Sequence, residues 1–230
     1  MRILLLSAFA LLLVIPTTAG AQSVTVDEGV FRITIGGEVV GTESFSIRRT
    51  GSGDDVQVIA TAEIQIDLAD GPTDMRPALH AMGRDMAVYA YQIKVSGATQ
   101  EEVSVEEGDR RYINRVRTER GERERELRAA PGTLLLDMNV AHQFYFLAPR
   151  LTSSPMTLPI IAPREGRQYE MRASEVGMES IQIGGTSIQA RHLRLEGDGG
   201  TRDIWIDEEG RVLRVEHPDR GYVAVRESAP

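Results

Sequence analysis

The sequence predicts a mainly β protein: one long, strongly curved antiparallel sheet, a half-barrel or open barrel, with one short helix at about residues 138–147 covering the concave side. Three observations lead there. Apolar and polar residues alternate with a period of two nearly from end to end, the pattern of strands with one face on a core. Gly pairs and Asp/Gly clusters interrupt the alternation where hairpin turns would fall. Only the stretch around Leu134–Leu147 departs from it, placing Val140, Phe144 and Leu147 on one helical face.

The sequence opens with Met1-Arg2, an apolar run from Ile3 to Ile15, Pro16, and the small-x-small pattern Ala19-Gly20-Ala21. That is the pattern of a secretory signal peptide cleaved after Ala21, because thirteen apolar-rich residues fall short of the about 20 that cross a bilayer. The expected destination is the periplasm or the medium. Removal of residues 1–21 leaves 230 − 21 = 209 residues, read as a single β domain over 22–230, with no membrane-spanning apolar run. There is no cysteine, so neither a disulfide nor a lipid on a cysteine at the cleavage site is available and stability must come from burial. Lys and Arg number 26 against 34 Asp and Glu, an acidic balance that argues against a nucleic-acid partner.

Three hairpins are legible. In the first, Phe31–Ile35 is followed by Gly36-Gly37-Glu38 and a strand from Val39 through Ile47; a three-residue loop sets Ile35 opposite Val39 and Ile33 opposite Gly41. In the second, Tyr112–Thr118 turns near Arg120-Gly121 into Glu122–Arg128, with Arg117 facing Glu124 and Arg115 facing Glu126. A strand is preferred over a helix for 122–128, polar on both faces and solvated. In the third, Asp203–Asp207 turns through Glu208-Glu209-Gly210, placing Ile206 opposite Val212 and Trp205 opposite Leu213. A last strand, Tyr222–Arg226, follows Pro218–Gly221. Ile33, Ile35, Gly36, Gly37, Phe45 and Ile47 are echoed by Ile181, Ile183, Gly184, Gly185, Leu193 and Leu195, as two similar hairpins would be. The helix has Asp137 or Asn139 as its expected N-cap and Pro149 beyond its end.

Motifs for catalysis are missing. The four histidines, His80, His142, His192 and His217, form no metal-type pair, and no nucleophile elbow, phosphate loop or dinucleotide loop is present. No catalytic residue, cofactor or metal is therefore expected, and a hydrolase ranks last among the readings. Ligand-binding candidates are His142, Phe144, Tyr145 and Phe146 on the helix and Trp205, the only tryptophan. Arg115, Arg117, Glu124 and Glu126 are candidates for contact with a protein partner.

The motifs IGGEVVGTESFSI at 35–47, LDMNVAHQFYFL at 136–147 and DIWIDEEGRVLRVE at 203–216 resemble those of an uncharacterised family of exported bacterial domains of unknown function with a long curved antiparallel sheet. The resemblance implies a half-barrel of lipoprotein-carrier or lipocalin type, and it brings no catalytic residues. The resulting expectation is an exported, non-enzymatic protein that carries or senses an apolar or lipid-like ligand in the concave face. The alternative is a structural or protein-interaction module of the envelope.

Overall fold

The computed structural model describes residues 23–151 and 153–230; the expected signal peptide and its cleavage site lie outside them. The described strands are β1 (Val24–Ile35), β2 (Glu38–Thr50), β3 (Gln57–Leu68), β4 (Gly71–Met82), β5 (Ala87–Gly97), β6 (Glu101–Gly108), β7 (Arg111–Thr118), β8 (Gly121–Arg128), β9 (Leu134–Leu135), β10 (Met156–Ala162), β11 (Arg167–Ile183), β12 (Thr186–Gly197), β13 (Gly200–Ile206), β14 (Val212–His217) and β15 (Tyr222–Arg226). All fifteen share one curved sheet in the order β8 to β1, then β15 to β9. Two meanders thus run outward from the central β1–β15 pair, where Ile33 faces Ala224. Every pairing is antiparallel except β9 with β10, which is parallel because the chain crosses the interior before returning.

The sheet curls around residues 129–151. Leu134, Leu135, Leu136, Val140, Phe144, Phe146 and Leu147 are all buried and join the inward residues of both meanders in one core. The expected helix is shorter, later and tighter than its sequence spacing suggests. It is a bent 3-10 segment, His142–Phe146 followed by Ala148–Arg150, with Pro149 inside it rather than beyond it. The apolar stripe does face the core, and Pro149, which has no N–H to donate, falls within the second 3-10 segment.

The curl does not close by hydrogen-bonded ladders. At the seam, where β8 approaches β11, the Gln168 side chain stands in for a strand: its Nε2 donates to the Arg128 carbonyl at 2.8 Å and its Oε1 accepts from the Arg128 N–H at 2.9 Å. Arg125 Nη1 donates to the Gly166 carbonyl at 3.2 Å. Side chains satisfy part of the backbone that a closed barrel would pair.

The hairpins form as expected, but three registers differ. The β1–β2 loop has two residues, Gly36-Gly37, both at positive φ, and Ile35 pairs with Glu38 rather than Val39. A bulge between Ile33 and Thr34 restores the expected Ile33–Gly41 pair, so the inward face is kept. The β7–β8 turn is Glu119-Arg120, one residue earlier than expected, which moves each arginine's partner by two residues: Arg117 faces Glu122, Arg115 faces Glu124, and Glu126 lies beside Arg111. Opposite charges stay adjacent in either register, so charge alone could not choose. In β13–β14, Ile206 pairs with Val212 and Gly210 takes φ +80° as expected, but a bulge at Leu213 puts Trp205 opposite Arg214. The echoed hairpin is β11–β12, which turns on Gly184-Gly185.

Candidate functional site

The inward phase of β2 reads Glu43, Phe45, Ile47, a carboxylate where the pattern calls for an apolar residue. Glu43 is 0% exposed. Its Oε2 accepts the Ala141 N–H at 2.7 Å, and its Oε1 accepts the His142 N–H at 2.8 Å and meets His142 Nδ1 at 2.6 Å. The sheet therefore caps the helix. This corrects the expected N-cap, which is Ala141 with no side-chain bond of its own, while Asn139 adopts φ +60° in the preceding turn.

Asp137 looks the other way. Its carboxylate accepts Tyr91 Oη–H at 3.0 Å, Arg164 Nε–H at 2.9 Å and the Met138 N–H at 2.9 Å. Gln143 brackets its backbone, accepting the N–H at 2.8 Å and donating to the carbonyl at 2.7 Å. Burial, and then the charge of Asp137, push the Tyr91 hydroxyl well above its ordinary value, so it stays a donor. The interior segment is thus tied to β2, β5 and the β10–β11 turn at once.

The predicted ligand-binding residues are not brought to one site. His142, Phe144 and Phe146 lie in the core, and Phe45 stacks between Phe31 and His142, with centroids at 5.0 and 6.1 Å. Tyr145 is half-buried, edge-on to Phe146, and its hydroxyl is pushed up first by burial and then by Asp27. Trp205 points to the opposite, outer face of the sheet. There the outer half of the β11–β12 hairpin folds over it, and Ile183, Ala190, Trp205 and Leu213 form a second small core. Trp205 stacks on His192 at 4.3 Å and donates Nε1–H to Glu179 at 2.9 Å. His192 has a carboxylate oxygen at each ring nitrogen, Glu179 at 2.8 Å and Asp203 at 2.6 Å.

Arg115, Arg117, Glu124 and Glu126 all lie on the outer face of β7–β8, and they pair among themselves and their neighbours. Arg115 Nε meets Glu124 at 2.7 Å, Arg117 Nη2 meets Glu122 at 2.9 Å, and Glu126 pairs with Arg111. A groove of ≈ 480 Å³ lies over this face, between Lys94, Glu102, Arg115 and Arg117.

A larger cleft, ≈ 570 Å³, opens at one end of the seam, between the start of β7, residues 129–133, Pro149-Arg150 and the start of β10. Its walls include Val88, Tyr112, Pro131, Met156 and Leu158, with Arg150 among them. Tyr112 donates its hydroxyl to the Val88 carbonyl at 3.0 Å, and burial, then Glu107, push that hydroxyl up to about 12. Sequence reasoning missed this cleft, together with Glu43 and Arg150, and named Asp137 only as a candidate N-cap. Glu43 was detectable as a charge at an apolar phase; Arg150 carries no such signal.

Fold and clefts together define a barrel-like β domain wrapped around a segment of its own chain. No protein-family model and no curated protein matches the sequence. Two solved structures are similar. One is a β-barrel-like protein of the domain of unknown function DUF1849 from Brucella abortus, at TM-score 0.49 and 8% identity, covering 87% of this chain and 95% of that one. The other is a DUF1089 family protein from Pseudomonas aeruginosa, at TM-score 0.46 and 15% identity, covering 77% of this chain and 90% of that one.

Proposed function

We propose that the protein is an exported, non-enzymatic binding protein that takes an apolar or lipid-like ligand, and that the ligand lies in the seam cleft rather than beneath the helix. The cleft itself carries this reading: ≈ 570 Å³, largely apolar walls, and a position where the sheet fails to close. Small-molecule sites have this size and this mixture of apolar wall and few polar groups. The concave face, by contrast, is occupied by the protein's own residues 134–147.

The histidines support a role other than catalysis. His142 is sealed against Glu43, and His192 with Asp203 lies beneath the folded hairpin, its second nitrogen on Glu179 rather than on a nucleophile. The self-paired charges on β7–β8 favour the binding reading over a docking surface. Export rests on residues 1–21, and N-terminal sequencing of the mature protein should begin at Gln22.

The test is titration of the delipidated protein with an environment-sensitive apolar fluorophore. Saturable binding is expected, and Ala130→Trp, which fills the cleft from the 129–133 connection, should abolish it without lowering the melting temperature. Absence of saturable binding, or full binding in Ala130→Trp, would overturn the proposal.

A further inference from the structure

Among the described residues two arginines are buried, and their surroundings differ. Arg226, 2% exposed, faces the buried carboxylate of Asp27. Arg150, 6% exposed, makes no salt bridge among the described residues. Its Nη1 donates to the Phe146 carbonyl at 2.7 Å and its Nη2 to the Met86 carbonyl, while Nε has no partner. Two carbonyl dipoles satisfy only part of a five-donor guanidinium, and its net charge is offset only by the exposed carboxylate of Asp85, without a salt bridge. Burial pulls its pKa down to about 10, so it remains cationic at neutral pH.

This cation lines the seam cleft, against Val88, Met156 and Leu158. The other charges of the lining, Asp85, Glu107 and Arg110, are exposed, where water screens them. A buried unpaired cation beside apolar walls is complementary to a molecule with one anionic end and an apolar remainder. Resting on the seam cleft as the ligand site, we infer that its ligand is an acyl-chain carboxylate whose head group completes the coordination of Arg150. A carboxylate matches the planar fork of a guanidinium, and a hydrogen bond between two charged groups is the stronger kind.

The experiment compares dodecanoate with dodecanol at pH 8 by displacement of the bound fluorophore, for the unmodified protein, Arg150→Met and Arg150→Lys. The two probes share a chain and differ in head-group charge. The unmodified protein should favour dodecanoate by about tenfold or more. Arg150→Met should lose that preference while still binding dodecanol, and Arg150→Lys should keep part of it. Equal affinity of the unmodified protein for both probes, or an undiminished preference in Arg150→Met, overturns the assignment of Arg150 and leaves the cleft as a site for neutral apolar ligands. If neither probe displaces the fluorophore, the cleft reading fails as well. The comparison on the unmodified protein decides the matter even if Arg150→Met does not fold.

Discussion

The meander β1–β8 and the meander β9–β15 belong to one sheet, yet they treat their outer faces differently. Along β3 burial alternates strictly, and the outward residues of β5–β8 are tied into a ladder of Lys, Arg and Glu. Along β13 the four residues Asp203–Ile206 are all buried, because the β11–β12 hairpin folds back over that side. The first meander is a half-buried sheet facing water; the second has become a layer between two cores. The ≈ 570 Å³ cleft opens where the two meanders meet at the seam.

The strongest test of this contrast is Glu43, through which the first meander holds the interior segment. Glu43→Ala strips the partner from two backbone N–H groups and from a buried His142, and should cost ~3–5 kcal/mol in urea unfolding. Glu43→Gln keeps one acceptor and should cost less, ~1–2 kcal/mol. A loss in Glu43→Ala no larger than that of Glu43→Gln would mean that the segment is held mainly by apolar packing.

The next largest effect compares two outward aromatic residues. Trp205 lies under the folded hairpin at 8% exposure, and Tyr89 stands on β5 at 52%. Trp205→Ala removes the stack on His192 and the bond to Glu179 and should cost ~3 kcal/mol or more. Tyr89→Ala should change stability by at most ~0.5 kcal/mol. Similar losses at both positions would erase the distinction between a covered and an open outer face.

How far the sequence reveals this arrangement follows from the same residues. Strands, turns and the central hairpin are written locally, in alternation and in glycines such as Gly36, Gly37 and Gly210 that supply positive φ. The register of β7–β8 is not, because alternating Arg and Glu satisfy each other in either offset. Trp205 between two isoleucines signals burial on both faces, but the cover comes from residues 181–190, which lie beyond a bulge between Glu175 and Gly177. The helix is harder still: its cap comes from Glu43, almost a hundred positions earlier, and no local capping pattern encodes a distant carboxylate. Arg150 is the least legible, since an arginine after a proline looks like any exposed turn until its burial is seen.

Acid should act on the second meander through His217. Arg202 Nη1 donates to its Nε2 at 2.7 Å, an arrangement that requires a neutral ring, and burial followed by Arg202 and Arg220 lowers its pKa to about 4 from 6.5. Between those values the unfolded chain holds more protons than the folded one, so stability falls as pH drops from 6.5 towards 4 and levels off below. Screening by nearby water keeps the loss at ~1–2 kcal/mol. Asp27 works in the opposite direction in a window just above 3.8, because burial raises its pKa despite Arg226. The difference between the unmodified protein and His217→Gln across pH 4–7 therefore isolates the histidine, and a flat difference curve would contradict its neutral, buried role.

The smallest effect on stability is expected from the charge ladder of the first meander, and the reason is geometric. Glu122, Glu124 and Glu126 are exposed, and each forms a solvent-facing ion pair with an arginine on β7, so removing the pairs takes little from the folded state. Their value lies elsewhere. β8 is the outermost strand of its meander, paired only with β7 along its length and met by Gln168 only at Arg128. An open strand edge is a template for another chain, and a row of charges discourages that pairing. Replacing Glu122, Glu124 and Glu126 together by Thr, which favours strands and carries no charge, should leave the melting temperature nearly unchanged. Light scattering and size-exclusion chromatography should then reveal concentration-dependent self-association absent from the unmodified protein. A large fall in melting temperature without association would show instead that the ladder holds the fold, making the outer face of the first meander as structural as the covered face of the second.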